Sequence, residues 1–196
     1  MKKLRDIADI RAGYAFRERL EFDPKGNVCV VQLNDLTSQN RVAFETAIRV
    51  RLLAETEPYA LHKGDLVFRS RGLRTTAALM EEDASDVILA APFFRIRIKD
   101  TALVNPDYLT WYIASRPAQR FFTERQTGTS VNMVTAQELS ELPVEVPPFA
   151  MQVQIAELAN LSEREQQIQT ELNEKRKKYI EAMLLKTAHT EGDSHD

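Results

Sequence analysis

The sequence is poor in most of what builds an active site or a membrane anchor. Among its 196 residues there are one cysteine, three histidines and six glycines. The single Cys29 excludes a disulfide framework, and its place in the apolar run Val28-Cys29-Val30-Val31 predicts a buried, reduced thiol. His62, His189 and His195 are too scattered to share a metal ion, and His62 reads as a surface residue. No apolar run approaches the ~20 residues that span a bilayer. The opening Met1-Lys2-Lys3-Leu4-Arg5-Asp6 carries charge where a signal peptide has its apolar stretch, so the expected location is the cytoplasm, without a membrane partner. The few glycines form no phosphate-cradling loop, and no Cys/His cluster or nuclease-type Pro-Asp followed by Glu-x-Lys occurs. Val146-Pro147-Pro148-Phe149 superficially matches the Pro-Pro-aromatic motif of amino-methyltransferases, but that motif needs Asn or Asp where Val146 stands. We expect no catalysis by this chain alone, and no metal.

Helix breakers are missing from one long stretch. After Pro147-Pro148-Phe149, roughly 35 residues pass without Gly or Pro, which predicts a single helix over 149–186. At a rise of ~1.5 Å per residue it extends on the order of 50 Å, more than a body of ~150 residues needs for its own core. Ile155, Leu158, Leu161, Ile168, Leu172, Tyr179 and Ala182 recur at three- and four-residue steps, a coiled-coil type of seam. Glu165 and Lys175 interrupt it, weakening the packing while helping to fix register and partner. Ile155, Leu158, Leu161, Ile168, Leu172 and Tyr179 are therefore the expected subunit interface; the alternative is a solvent-bridging helix with no specific partner. Residues 187–196 hold three acidic and no basic residues and read as a disordered acidic tail.

The remaining 148 residues read as an α+β body, a mixed sheet first and helices later. Lys3 to Ile10 predicts a short helix. Strands are expected at Val28 to Leu33, Ala47 to Leu52, Leu66 to Phe68, Ala77 to Met80, Val87 to Ala91 and Phe93 to Ile98, with Gly64 at a positive-φ turn. Helices are expected from Asp107 to Ser115, onward through Phe122, and after the capping box Thr135-Ala136-Gln137-Glu138, with Leu142 to Val146 as a last strand. Charge in residues 1–149 balances at 20 basic against 20 acidic, but 15 of the cations are Arg, the side chain whose planar fork pairs with phosphate or guanine. The densest basic loop is Arg69-Ser70-Arg71-Gly72-Leu73-Arg74-Thr75-Thr76. Its arginines suit base edges or phosphates, with Ser70, Thr75 and Thr76 as hydroxyl donors; the plain alternative is a solvated loop paired with Glu81, Glu82 or Asp83. Thr127, Thr129, Ser130 and Asn132 form a second small-polar loop that either contacts DNA or merely joins two helices. Gln32 and Asn34, at a strand end, suit adenine, although a structural turn explains Asn34-Asp35 equally well. Arg49, Arg51, Arg95 and Arg97 alternate with apolar residues on two basic strand faces.

Several stretches occur in an order that resembles the specificity subunit of Type I restriction-modification systems. They are Leu4 to Gly13, Val31-Gln32-Leu33-Asn34-Asp35-Leu36, Lys63-Gly64-Asp65-Leu66-Val67, Tyr108-Leu109, Gln126 to Val131, and Leu142 to Pro148 followed by Gln152 and the long helix. The resemblance implies a DNA-reading target-recognition domain at 1–148 and, at 149–186, a helix that spaces recognition domains and docks methyltransferase subunits. Members usually carry two such domains and two helices packed antiparallel; this sequence has one of each. It therefore resembles a half-subunit that works as a homodimer, pairs with a second half protein or is a truncated remnant, and the unclosed seam favours the homodimer. The implied partners are double-stranded DNA, methyltransferase subunits and, where one is present, a restriction/translocase subunit. No cofactor is expected in this chain; S-adenosylmethionine would sit in the partner methyltransferase. Two other classes remain: a helical scaffold or decoy that occupies methyltransferase subunits without reading DNA, and a divergent hydrolase built on Asp65 and His62.

Overall fold

A computed structural model describes residues 1–37, 40–71, 75–84, 86–125 and 133–192, with side chains through Ala188. Two units separate, Met1–Ala156 and Glu157–Asp196. The first begins with β1 (Lys2–Lys3), α1 (Leu4–Ile7) and β2 (Ala8–Ala12). The expected helix over Lys3 to Ile10 thus stops at Ile7, and the chain becomes a strand. Leu4, Ile7 and Ile10 suit a helical face, but Ala8–Ala12 finds five antiparallel partners in β8 (Phe94–Ile98), and those ladder bonds outweigh local propensity.

Among the described residues the strands build two larger sheets and one ribbon. With β5 (Leu66–Phe68) and β6 (Ala77–Leu79), the four-stranded sheet runs β2-β8-β5-β6. The three-stranded sheet is β4-β3-β7, from β3 (Val28–Val31), β4 (Ile48–Val50) and β7 (Val87–Leu89), where β3 pairs antiparallel with β4 and parallel with β7. Short β9 (Pro143–Val144) pairs with β1. All four residues of β3 are buried, as its β-branched run predicts for a strand covered on both faces. Cys29 and Val31 pack toward Val67 and Ala78 of the other sheet, while Val28 and Val30 join Val50 and Ile88. Cys29 is a free, buried thiol, and burial pushes its pKa up.

The opposite face of the four-stranded sheet carries the main core. Leu66, Phe68 and Ile96 meet Leu109 and Ile113 of α2 (Pro106–Ala114), Phe121 and Phe122 of α3 (Arg116–Arg125), and Leu139 of α4 (Ala136–Ser140). The predicted caps are in place: Asn105 accepts from the Tyr108 N–H, and Thr135 and Glu138 form a reciprocal capping box. Gly64 has φ +87°, a conformation that a side chain would strain. Gly13 is required for a different reason, since a Cβ there would meet the Ala90 carbonyl at 2.5 Å.

The last helix, α5 (Phe149–Gly192), starts where the prolines predict and runs six residues past Lys186. Residues 187–192, expected in a disordered tail, are helical because nothing before Gly192 breaks the backbone. Its first two turns belong to the body. Gln152 is completely buried; its Nε2 donates to the Leu103 carbonyl (3.0 Å) and the Pro147 carbonyl (2.8 Å), and its Oε1 accepts from the Asn105 N–H (3.0 Å). Ala156 joins the main core and Ile155 packs against it. Among the described residues no helix is long and apolar enough to cross a membrane.

Candidate nucleic-acid interface

The basic loop after β5 is more constrained than its composition suggests. The Arg69 N–H donates to the Thr76 carbonyl (2.9 Å), closing the hairpin. The Arg69 guanidinium folds inward, its Nη2 donating to the Leu36 carbonyl (3.1 Å), and partial burial lowers its pKa. Ser70 is only 1% exposed, and its hydroxyl donates a hydrogen bond to the Pro92 carbonyl. Thr75 is also buried: its hydroxyl donates to Gln119 Oε1 (3.3 Å), while Gln119 Nε2 donates to the Thr75 carbonyl (2.7 Å). Thr76 is half-buried beside it. Ser70 and Thr75 are therefore hairpin anchors rather than the phosphate-binding hydroxyls expected, because buried hydroxyls take protein partners. Arg71 is exposed. Arg74 lies outside the described residues, as do Thr127, Thr129, Ser130 and Asn132.

Three segments far apart in sequence meet around Arg71. Its backbone forms an antiparallel bridge with Met133, Val134 N–H donates to the Ser70 carbonyl (2.8 Å), and Arg71 Nε approaches Met133 Sδ at 3.2 Å. The hairpin thus adjoins Met133, the residue that follows the small-polar stretch 127–132 in sequence. Arg69, by reaching Leu36, ties the same hairpin to the segment carrying Gln32 and Asn34. Asp35 is buried there, accepting from the Gln32 N–H (2.8 Å) and from the Thr46 hydroxyl (3.2 Å), so it shapes the turn while Asn34 stays exposed. A cavity of about 440 Å³ opens between these parts, lined by Phe16, Leu20, Gln32, Leu33, Arg71 and Phe93 among others. Phe16 and Leu20 also border a cavity of about 870 Å³ lined by Arg17, Arg19, Arg51 and Tyr59.

Sequence reasoning missed Phe16, Leu20 and Leu33. Leu33 is 58% exposed beside Gln32, an apolar side chain turned outward. The one signal for it was an apolar residue continuing past a buried strand into a polar turn.

The two arginine strand faces are committed to the fold. Arg49 pairs with Asp86 (2.7 Å) and Arg51 with Asp23 (3.0 Å). Arg95 is buried, with Nη1 donating to the Ala60 carbonyl (2.9 Å), and burial lowers its pKa. Arg97 grips both oxygens of buried Asp65 at 2.7 Å, and that bond raises the Arg97 pKa. Asp65 Oδ2 also accepts from the His62 N–H (2.8 Å). The proximity of Asp65 and His62 is therefore a turn cap made through the His62 backbone N–H. Among the described residues no group of three or more His, Cys, Asp or Glu is placed to hold a metal ion.

On α5 the expected interface divides. Ile155 is partly buried and packs against the core of the body, where the first turns of the helix lie. Leu158, Leu161, Ile168, Leu172 and Tyr179 are 46–70% exposed, and Ile180, Met183, Leu184 and Leu185 are exposed with them.

Comparisons with known proteins agree in kind. A family model described as the Type I restriction modification DNA specificity domain matches residues 1–182. A Type I restriction-modification S subunit from M. genitalium has a similar fold, with a TM-score of 0.54, 12% identity, and coverage of 82% of this chain and 37% of that one. An HsdS subunit from Thermoanaerobacter tengcongensis gives 0.57 at 14% identity, covering 84% and 36%. A chain from a structural study of complex assembly and conformational transition in the type I R-M system gives 0.62 at 16% identity, covering 95% and 43%. The chain thus spans 36–43% of the length of these structures. No curated protein sequence matches it.

Proposed function

Because this chain belongs to the family of Type I restriction modification DNA specificity domains, we propose that its body reads duplex DNA and its long helix docks the subunits that modify it. The observation that carries the reading is the meeting of Gln32, Leu33 and Arg71 at one cavity, beside the bridge from Arg71 to Met133. Exposed Arg71 has the fork for guanine or phosphate, Gln32 an amide suited to adenine, and Leu33 an apolar tip suited to a thymine methyl. Neutral overall charge in the body supports local rather than indiscriminate contact. The chain acts as a non-catalytic recognition subunit and directs a methyltransferase, which supplies S-adenosylmethionine, and any associated restriction subunit to the target. Two copies joined through the helices restore the two recognition domains of a full-length subunit.

The test is binding of the chain, assembled with its methyltransferase partner, to a panel of site variants across a salt series. If Arg71 contacts a phosphate, Arg71→Ala weakens all sequences alike and lowers the salt slope by about one; if it grips guanine, it costs ~1–3 kcal/mol at one position. Gln32→Ala and Leu33→Ala should relax preference at neighbouring positions. Unchanged site selection by the triple variant would remove this surface from recognition. The isolated chain, given S-adenosylmethionine, Mg²⁺ and ATP, should neither methylate nor cleave DNA.

A further inference from the structure

The exposed seam of α5 carries two charged residues in the positions of apolar knobs, Glu165 and Lys175. They are opposite in sign, and each lies five residues from Thr170, one on either side. From this symmetry we infer the register of the antiparallel pair: the two-fold axis lies level with Thr170, and Glu165 and Lys175 set it. This rests on the two-copy reading above, whose antiparallel sense is that of the paired helices of full-length members, and adds the register and the residues that set it.

In that pairing each Glu165 faces Lys175 of the second copy, and the contact occurs twice. The apolar positions close in the same register: Ile168 faces Leu172, Leu161 faces Tyr179, and Leu158 faces Ala182. All but Ala182 are among the exposed large apolar residues of the helix. Other pairings leave charge uncompensated. A shift of one heptad in either direction sets Glu165 against Ile168 or Ala182, and Lys175 against Leu158 or Leu172. A parallel pair sets Glu165 on Glu165 and Lys175 on Lys175.

The flanks argue the other way. A parallel pair would gain Glu171 against Arg176, whereas the antiparallel pair sets Arg164 near Lys178 and Glu171 near its own copy. Solvated flank charges contribute little beside charges enclosed in a seam, so the seam decides. The polar layer thereby acts as a register device, at some cost in stability.

Charge exchange in the full chain tests this, with self-association measured by sedimentation and folding of the body followed by circular dichroism. Glu165→Lys and Lys175→Glu singly should each weaken the dimer by more than about tenfold, since like charges then meet twice. The double exchange should restore it. A parallel dimer would respond differently, because each single exchange merely replaces one like-charge pair by another. Cross-linking gives an independent readout in a Cys29→Ser background: Leu161→Cys and Tyr179→Cys chains should form disulfides when mixed and not alone. Neutral single exchanges, or a Leu161→Cys chain that cross-links to itself, would overturn the register while leaving the two-copy reading intact. A wild-type chain that stays monomeric would remove the two-copy reading and the register with it.

Discussion

Ser70, Arg71 and Thr75 show how residues of one loop separate in role. A serine between two arginines looks like a phosphate ligand, but Ser70 sits under Pro92 and holds the hairpin in place. Ser70→Ala leaves the Pro92 carbonyl without its donor and should cost ~1–3 kcal/mol of stability. Denaturant titration would show that loss, while Arg71→Ala, exposed, should leave the midpoint unchanged. Tyr108 supplies a second measurable effect. Its hydroxyl donates to the Glu145 carbonyl (2.8 Å), and burial, with the neighbouring Tyr112 and Glu145, pushes its pKa from 10.0 up to about 12. The folded chain therefore keeps a proton that the unfolded chain releases first. That contribution to stability is complete below pH ~10 and is lost as pH rises through about 12. Unfolding midpoints measured across this window should fall less steeply in Tyr108→Phe; Tyr112, raised by burial in the same sense, retains part of the slope.

Strand β8 illustrates why an element's pattern can mislead. Arg95 and Arg97 alternate with apolar residues as a solvent-facing ladder would, yet the segment from Pro58 to Ala60 covers that face and takes their donors. Asp65 completes the arrangement by joining β8 to the turn before β5. Asp65→Ala removes a buried carboxylate and leaves the partly buried Arg97 with the Ala60 carbonyl but without its counter-charge. Such losses cost about 3–5 kcal/mol, and a more exposed cation such as Arg97 places this one toward the lower end. Thermal unfolding should reveal it, and DNA site preference should survive in whatever fraction remains folded. A large change in preference without loss of stability would instead place Asp65 at the reading surface.

The division of the whole chain follows from Gln152. The sequence reading closes the body at residue 148, where the prolines stand, but the first unit runs to Ala156. Truncation after Ala156 should leave a body with unchanged unfolding midpoint and no self-association. Truncation after Pro148 also removes Gln152, Ile155 and Ala156, stranding the Asn105 N–H and the Leu103 carbonyl. Each stranded group costs ~1–3 kcal/mol, so this shorter body should be markedly less stable or fail to fold. Equal stability of the two fragments would show that the first turns of α5 are dispensable to the core.

Local chemistry determined what depends on short range. The positive φ of Gly64, the caps at Asn105 and Thr135, the doubly buried β3, the start of α5 and its apolar seam all follow from residues within a few positions of one another. The ordered motifs along the chain likewise sufficed to indicate the family that the match over residues 1–182 establishes. Tertiary structure decided whatever depends on a distant partner. It turned residues 8–12 into a strand by offering β8, withdrew Ser70, Thr75 and Arg95 from solvent, tied Arg97 to Asp65, packed Ile155 against the core, and set Gln32, Leu33 and Arg71 around one cavity. The physical reason is that a polar side chain looks the same in sequence whether water or a buried carbonyl will satisfy it, and only the packed chain brings that carbonyl within reach.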